Sequence, residues 1–100
     1  MTTKDYLAQL ERNFKECLAI SQAKNADYAD QDNPFKNFEL SAQVANLPVA
    51  KGMLIRLMDK MTRISNLLER ENVVKDEKID DTIKDAINYL NILLVYLENK

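Results

Sequence analysis

Three groups of charged residues stand at helical spacing and are of the kinds that hold a metal ion or a phosphate. In the stretch DEKIDDTIKDAINYL, Glu77, Asp81 and Asp85 recur every four residues and Asn88 continues the line, so a helix would place all four on one face. Carboxylates one turn apart can converge on a hard divalent cation, magnesium or manganese, when a further acid approaches from a neighbouring helix. Asp59 is the natural partner, the one acid in the middle of the preceding helical segment. Arg56, Lys60 and Arg63 surround it. Acids and bases on one polar stripe suit a small phosphate-bearing molecule: the cation bridges phosphate oxygens while Lys60 and Arg63 neutralise the remainder. Lys24, Asp27 and Tyr28, at the end of the first helical segment, close one end of such a site, and an aromatic ring there can stack on a base.

A plainer reading of the same residues stands beside this one. Acids near the start of a helix are favoured by its macrodipole, and Arg56, Asp59 and Arg63 can pair with each other or with Asp81 and Asp85 across a bundle. Against a merely solvated face, Glu77 to Asp81 and Asp81 to Asp85 are like charges four residues apart, each pair costing a few tenths, roughly 0.2–0.5 kcal/mol, on an exposed helix. The line they follow also turns apolar, at Ile92, Val95 and Tyr96, where a solvated face would stay polar. That second face is expected to be covered, by the aromatic segment around Phe35 or by another subunit.

Composition narrows the chemistry. The chain has no histidine, which removes the imidazole base, the Ser-His and Cys-His pairs and the imidazole metal ligand. Hydrolysis would fall to carboxylates and a hard cation. Cys17 is the only cysteine, on the apolar side of its helix, where a buried structural thiol is expected. A formal charge of -2 lacks the basic excess that nucleic-acid polymers require. No run reaches the length of a membrane span and the first residues lack the form of a signal peptide, so a cytoplasmic location is expected.

One glycine and two prolines in 100 residues favour helices throughout. Leu7, Leu10, Phe14 and Cys17 predict a first helix from Thr3 to about Lys24, capped by Thr2 or Thr3. NADYADQDNPFKNF follows as a connection, and Tyr28, Phe35 and Phe38 favour its folding onto the core. FELSAQVAN reads as a short helix ending before Pro48. Pro48 opens a long helix to about Arg70, with Met53, Leu57, Met61, Ile64 and Leu68 inward. After the turn ENVVKD, Asp76 caps a last helix to about Glu98, with Ile79, Ile83, Ala86, Leu90, Leu93 and Leu97 on its core side. The expectation is one all-α domain over residues 1–100, a compact bundle of three long helices and one short helix, self-associating as a homo-oligomer through the apolar end of the last helix.

Taken together, KNADYADQDNPFKNF, LIRLMDKMTRISNLL and DEKIDDTIKDAINYL resemble a group of small, often phage-encoded proteins associated with nucleotide-modification gene clusters, itself similar to the MazG-like all-α nucleoside triphosphate pyrophosphatases. The resemblance runs from about Lys24 to Leu97. The family's Lys, Asp and Tyr at the end of the first helix are matched by Lys24, Asp27 and Tyr28, and its Lys-x-x-Arg by Lys60 and Arg63. Its Glu and two Asp followed by Asn-Tyr are matched by Glu77, Asp81, Asp85, Asn88 and Tyr89. Where MazG-like enzymes carry Glu-x-x-Glu on the middle helix, this chain offers Asp59 alone with Arg63 one turn on; Glu77 and Asp80 keep Glu-x-x-Asp, and Ala29 stands where a glycine is common. The resemblance implies a nucleotide-binding protein that cleaves a nucleoside triphosphate between its α and β phosphates with magnesium held by Asp59, Glu77, Asp81 and Asp85. The alternative is a non-catalytic phage protein that sequesters a nucleotide-derived signalling molecule. A third reading is a structural bundle that works only through its apolar face.

Overall fold

The four helices start and stop at identifiable chemistry. In the computed structural model, which describes residues 1–28, 32–70 and 79–100 and only the backbone of residues 27 and 28, α1 spans Thr3–Tyr28, α2 Lys36–Ala45, α3 Val49–Glu69 and α4 Ile79–Glu98. Among the described residues there is no strand, and the fold is all-α as the periodicity predicts. Thr2 caps α1 by accepting the Asp5 N–H at 3.1 Å. The helix runs four residues past the expected end at Lys24, since NADY holds neither proline nor glycine to stop it.

Asn33 organises the entry to α2. Its side-chain oxygen accepts the Phe35 N–H at 3.1 Å and its amide donates to Glu39 at 2.8 Å. At the other end Asn46 adopts a left-handed conformation, φ 55° and ψ 48°. The Asn46 and Leu47 N–H groups return to the carbonyls of Gln43 and Ala42, so a Schellman closure ends α2 with asparagine where glycine is usual. Pro48 is extended, at ψ 146°, and α3 begins one residue later than its place as a first helical residue would give. The expected cap at Asp76 and the turn ENVVKD lie outside the described residues.

Packing departs from the predicted stripes in an informative way. On α3, Met53 and Leu57 are buried as expected, but the line continues through Lys60, Ile64 and Leu67 instead of Met61, Ile64 and Leu68. Leu67 is 6% exposed and Leu68 60%. Both lines obey helical spacing; the inward one carries a lysine because α4 presents Asp85 to it. On α4 the buried positions are Thr82 and Ala86, while Ile83, Leu90 and Leu97 of the expected core side are exposed. The aromatic segment covers the far end of α4: the Phe35 ring meets Tyr96 edge-on at 5.3 Å and Phe38 meets Tyr89 at 6.3 Å. α3 is the hub, packed on both α2 and α4, whereas α1 leans on α4. Of α1's predicted stripe, Cys17 is buried, but Leu7, Leu10 and Phe14 are exposed. The radius of gyration is correspondingly 15.5 Å, against about 13 Å for a compact chain of this length. No described helix is long and apolar enough to cross a membrane.

Candidate functional site

Three helices deliver one charged side chain each to a single point. Lys24 from α1 and Lys60 from α3 both reach Asp85 on α4, Nζ to Oδ1 at 3.1 Å and Nζ to Oδ2 at 3.2 Å. Each carboxylate oxygen thus takes one ammonium. Asp85 and Lys60 are largely enclosed and Lys24 is more open to solvent. Burial raises the Asp85 carboxyl, but the hydrogen bonds and charges of the two lysines more than reverse this and hold it below the usual aspartate range. Two cations on one anion leave a local excess of positive charge.

One turn on, Asn88 donates from its side-chain amide to the Cys17 carbonyl at 3.0 Å. An interior α1 carbonyl already serves its own helix, so this bond ties the two helices through a second lone pair. Lys84 pairs with Glu16 at 2.7 Å, which lowers the Glu16 carboxyl and raises the Lys84 ammonium from their ordinary values. The Cys17 thiol lies 4.0 Å from the Lys84 carbonyl, and burial pushes its pKa up, as befits a structural cysteine. Sequence spacing gives no access to the Glu16–Lys84 pair, because its members lie on helices far apart in the chain.

A groove of about 1,350 Å³ opens beside these contacts, between α1, α2 and α4. Lys24, Asp85 and Asn88 form part of its polar lining, and Phe14, Leu18, Phe38, Tyr89 and Leu94 part of its apolar lining. On its α2 side Arg56 lies over the Phe38 ring, 4.8 Å from the centroid, and donates to Ser41 at 2.7 Å. Arg56 therefore belongs to the groove wall, a role that its place on the polar stripe of α3 did not reveal.

The structure brings four of the sequence candidates together: Lys24, Lys60, Asp85 and Asn88. Asp59, Arg63 and Asp81 are exposed. The side chains of Asp27 and Tyr28, and the whole of Glu77, lie outside the described residues. Magnesium needs several oxygen ligands at one point. Among the described residues no three acids are grouped to hold a metal ion, and both oxygens of Asp85 already face ammonium groups. Of the four expected magnesium ligands, Asp59, Asp81 and Asp85 are not gathered at one point, and the fourth, Glu77, lies outside the described residues.

Fold and cluster together define an all-α protein with a cationic, partly apolar groove at the meeting of three helices. Comparisons with family models, with curated proteins and with solved structures returned no match.

Proposed function

We propose that this chain is a nucleotide-binding protein that holds a small phosphate-bearing ligand, a nucleotide or a nucleotide derivative, without needing a metal ion. The observation that carries this reading is the convergence of Lys24 and Lys60 on Asp85 beside a large groove with aromatic walls. A carboxylate shared by two ammonium groups is a pre-arranged anion site: an arriving phosphate competes for the lysines already held in place, so less side-chain entropy is lost on binding. Phosphate oxygens would take Lys24, which lines the groove, and Lys60, which reaches the far oxygen of Asp85 from outside the lining, and Asn88 offers an amide close by. The apolar walls, with Phe38 and Tyr89, suit a base or another planar group. Such a protein would act in the cytoplasm, where a lone thiol such as that of Cys17 stays reduced. This is the sequestering role that the phage-type resemblance offered as its second possibility.

Calorimetric titration with a nucleoside triphosphate, a cyclic dinucleotide and ADP-ribose, each in chelator and again in magnesium, tests the reading. The expected result is binding of one class in chelator, weakened by about tenfold or more in Lys60→Met, since a charge-assisted contact is worth about 1.5–3 kcal/mol. A triphosphate that binds only with magnesium and releases pyrophosphate, with turnover lost in Asp81→Ala, would instead establish the hydrolase that the MazG-like resemblance implies. Absence of binding by all three classes in both conditions would reject a nucleotide site.

A further inference from the structure

We infer that the groove has a second anion point at Arg56, and that its ligand carries two phosphate groups on separate carbons of a sugar, one held by Lys24 and Lys60 and the other by Arg56. The inference rests on the nucleotide-binding reading and adds a contact to the same groove. Charge points there first. The chain has a formal charge of -2, yet among the described residues the charged side chains lining the groove are Lys24, Lys36 and Arg56 against Asp85 alone. Lys60 adds a further positive charge from outside the lining. An acidic chain that gathers cations along one groove focuses a positive field there, which suits a ligand of more than one negative charge.

Arg56 differs from the lysines in its partners. Asp85 shares its carboxylate between Lys24 and Lys60 and so offsets part of their charge. Arg56 lies over the Phe38 ring and donates to the Ser41 hydroxyl, both neutral, and among the described residues no carboxylate pairs with it. The ring supports one face of the guanidinium and Ser41 fixes one edge. The rest of its five N–H donors are not spent on these two contacts. A guanidinium held in one orientation with its charge uncompensated is suited to take two oxygens of a phosphate at once.

The spacing of the two points selects the ligand. Arg56 and Lys60 stand one turn apart on α3, as Asp85 and Tyr89 do on α4. Lys60 meets Asp85, while Phe38 lies between Arg56 and Tyr89, in contact with both. The lysine cluster and the Arg56–Phe38 pair are therefore successive levels of the same wall, four residues or about 6 Å apart along the helix axis. Phosphates joined through one bridging oxygen sit closer than this, whereas phosphates on two carbons of one ribose are held apart by the sugar.

Calorimetric titration in chelator with two matched pairs tests the inference: adenosine 3′,5′-bisphosphate against ADP, and guanosine 3′,5′-bisphosphate against GDP. Each pair keeps the base and the number of phosphates and changes only their separation. For at least one base the 3′,5′-bisphosphate should bind about tenfold or more tightly than the 5′-diphosphate, and Arg56→Met should reduce that gap to less than about threefold. Equal affinity within each pair overturns the second anion point and leaves the nucleotide reading standing, as does a gap that survives in Arg56→Met. Tighter binding of the 5′-diphosphates overturns it as well. Absence of binding by all four compounds overturns both. If Arg56→Met loses its helical circular dichroism, Arg56→Lys decides: an ammonium cannot hold Ser41 and two phosphate oxygens in one plane, so a narrowed gap supports the inference and a full one overturns it.

Discussion

α4 is held on two sides by opposite means. Toward α3 and α2 it is held by apolar packing around Met53, Leu57, Ala86 and the Phe38–Tyr89 pair. Toward α1 the specific contacts are mostly polar: Lys24 to Asp85, Glu16 to Lys84 and Asn88 to the Cys17 carbonyl. Cys17 is the only buried side chain that the described part of α1 contributes. Apolar burial supplies free energy in proportion to area, whereas ion pairs near the surface set position and return little net stability. The first interface makes the fold, and the second orients a helix whose apolar row faces elsewhere. Separate perturbations of the two sides should therefore differ in size.

The largest effect belongs to the apolar side. Met53, 1% exposed, sits on α3 where it faces its neighbours. Met53→Ala removes most of that side chain and leaves a cavity, so the free energy of unfolding should fall by about 3 kcal/mol in urea titration. A loss under about 1 kcal/mol would mean that the α3 hub relaxes around the gap and that apolar packing does not dominate.

Next comes the residue at the meeting of the two interfaces. Asp85→Asn keeps the shape of the side chain but leaves Lys24 and Lys60 facing a neutral amide, and a loss of about 2 kcal/mol is expected. The same carboxylate gives a pH signature. Its folded pKa lies below the ordinary aspartate value, so its contribution is complete above about pH 4 and is lost as the pH falls through the lower folded value. Glu16 titrates in the same sense. In acid the wild type should thus lose stability faster than Asp85→Asn, and the two urea midpoints should approach each other below about pH 4. Parallel curves would show that the lysines do not depend on the charge of Asp85.

The four helices were legible in the sequence because periodicity, proline and the scarcity of glycine report local preferences. Lys24, Lys60, Asp85 and Asn88 were legible as candidates because their types and spacing are unusual for a solvated face. Their partners were not. A stripe read from apolar residues alone prefers Met61 and Leu68 to Lys60 and Leu67, since nothing in the local spacing says that a lysine will find a carboxylate on another helix. The exposure of Leu7, Leu10 and Phe14 on α1 was not legible for a related reason: periodicity shows that a helix has an apolar face but not what packs against it.

The finest discrimination lies between the two lysines that share Asp85. Replacement by methionine keeps the aliphatic stem and removes only the charge and its bonds. Lys60 side-chain exposure is 22% and that of Lys24 is 56%, so water screens the Lys24 pair far more. Lys60→Met should destabilise by about 1 kcal/mol and Lys24→Met by less than about 0.5 kcal/mol in matched urea titrations. Ligand affinity should order differently: if both ammonium groups receive phosphate, both variants should weaken binding by a similar factor despite their unequal effect on stability. A Lys24→Met variant as destabilised as Lys60→Met would break the contrast between the two interfaces. A Lys24→Met variant with full affinity would confine the anion site to α3 and α4.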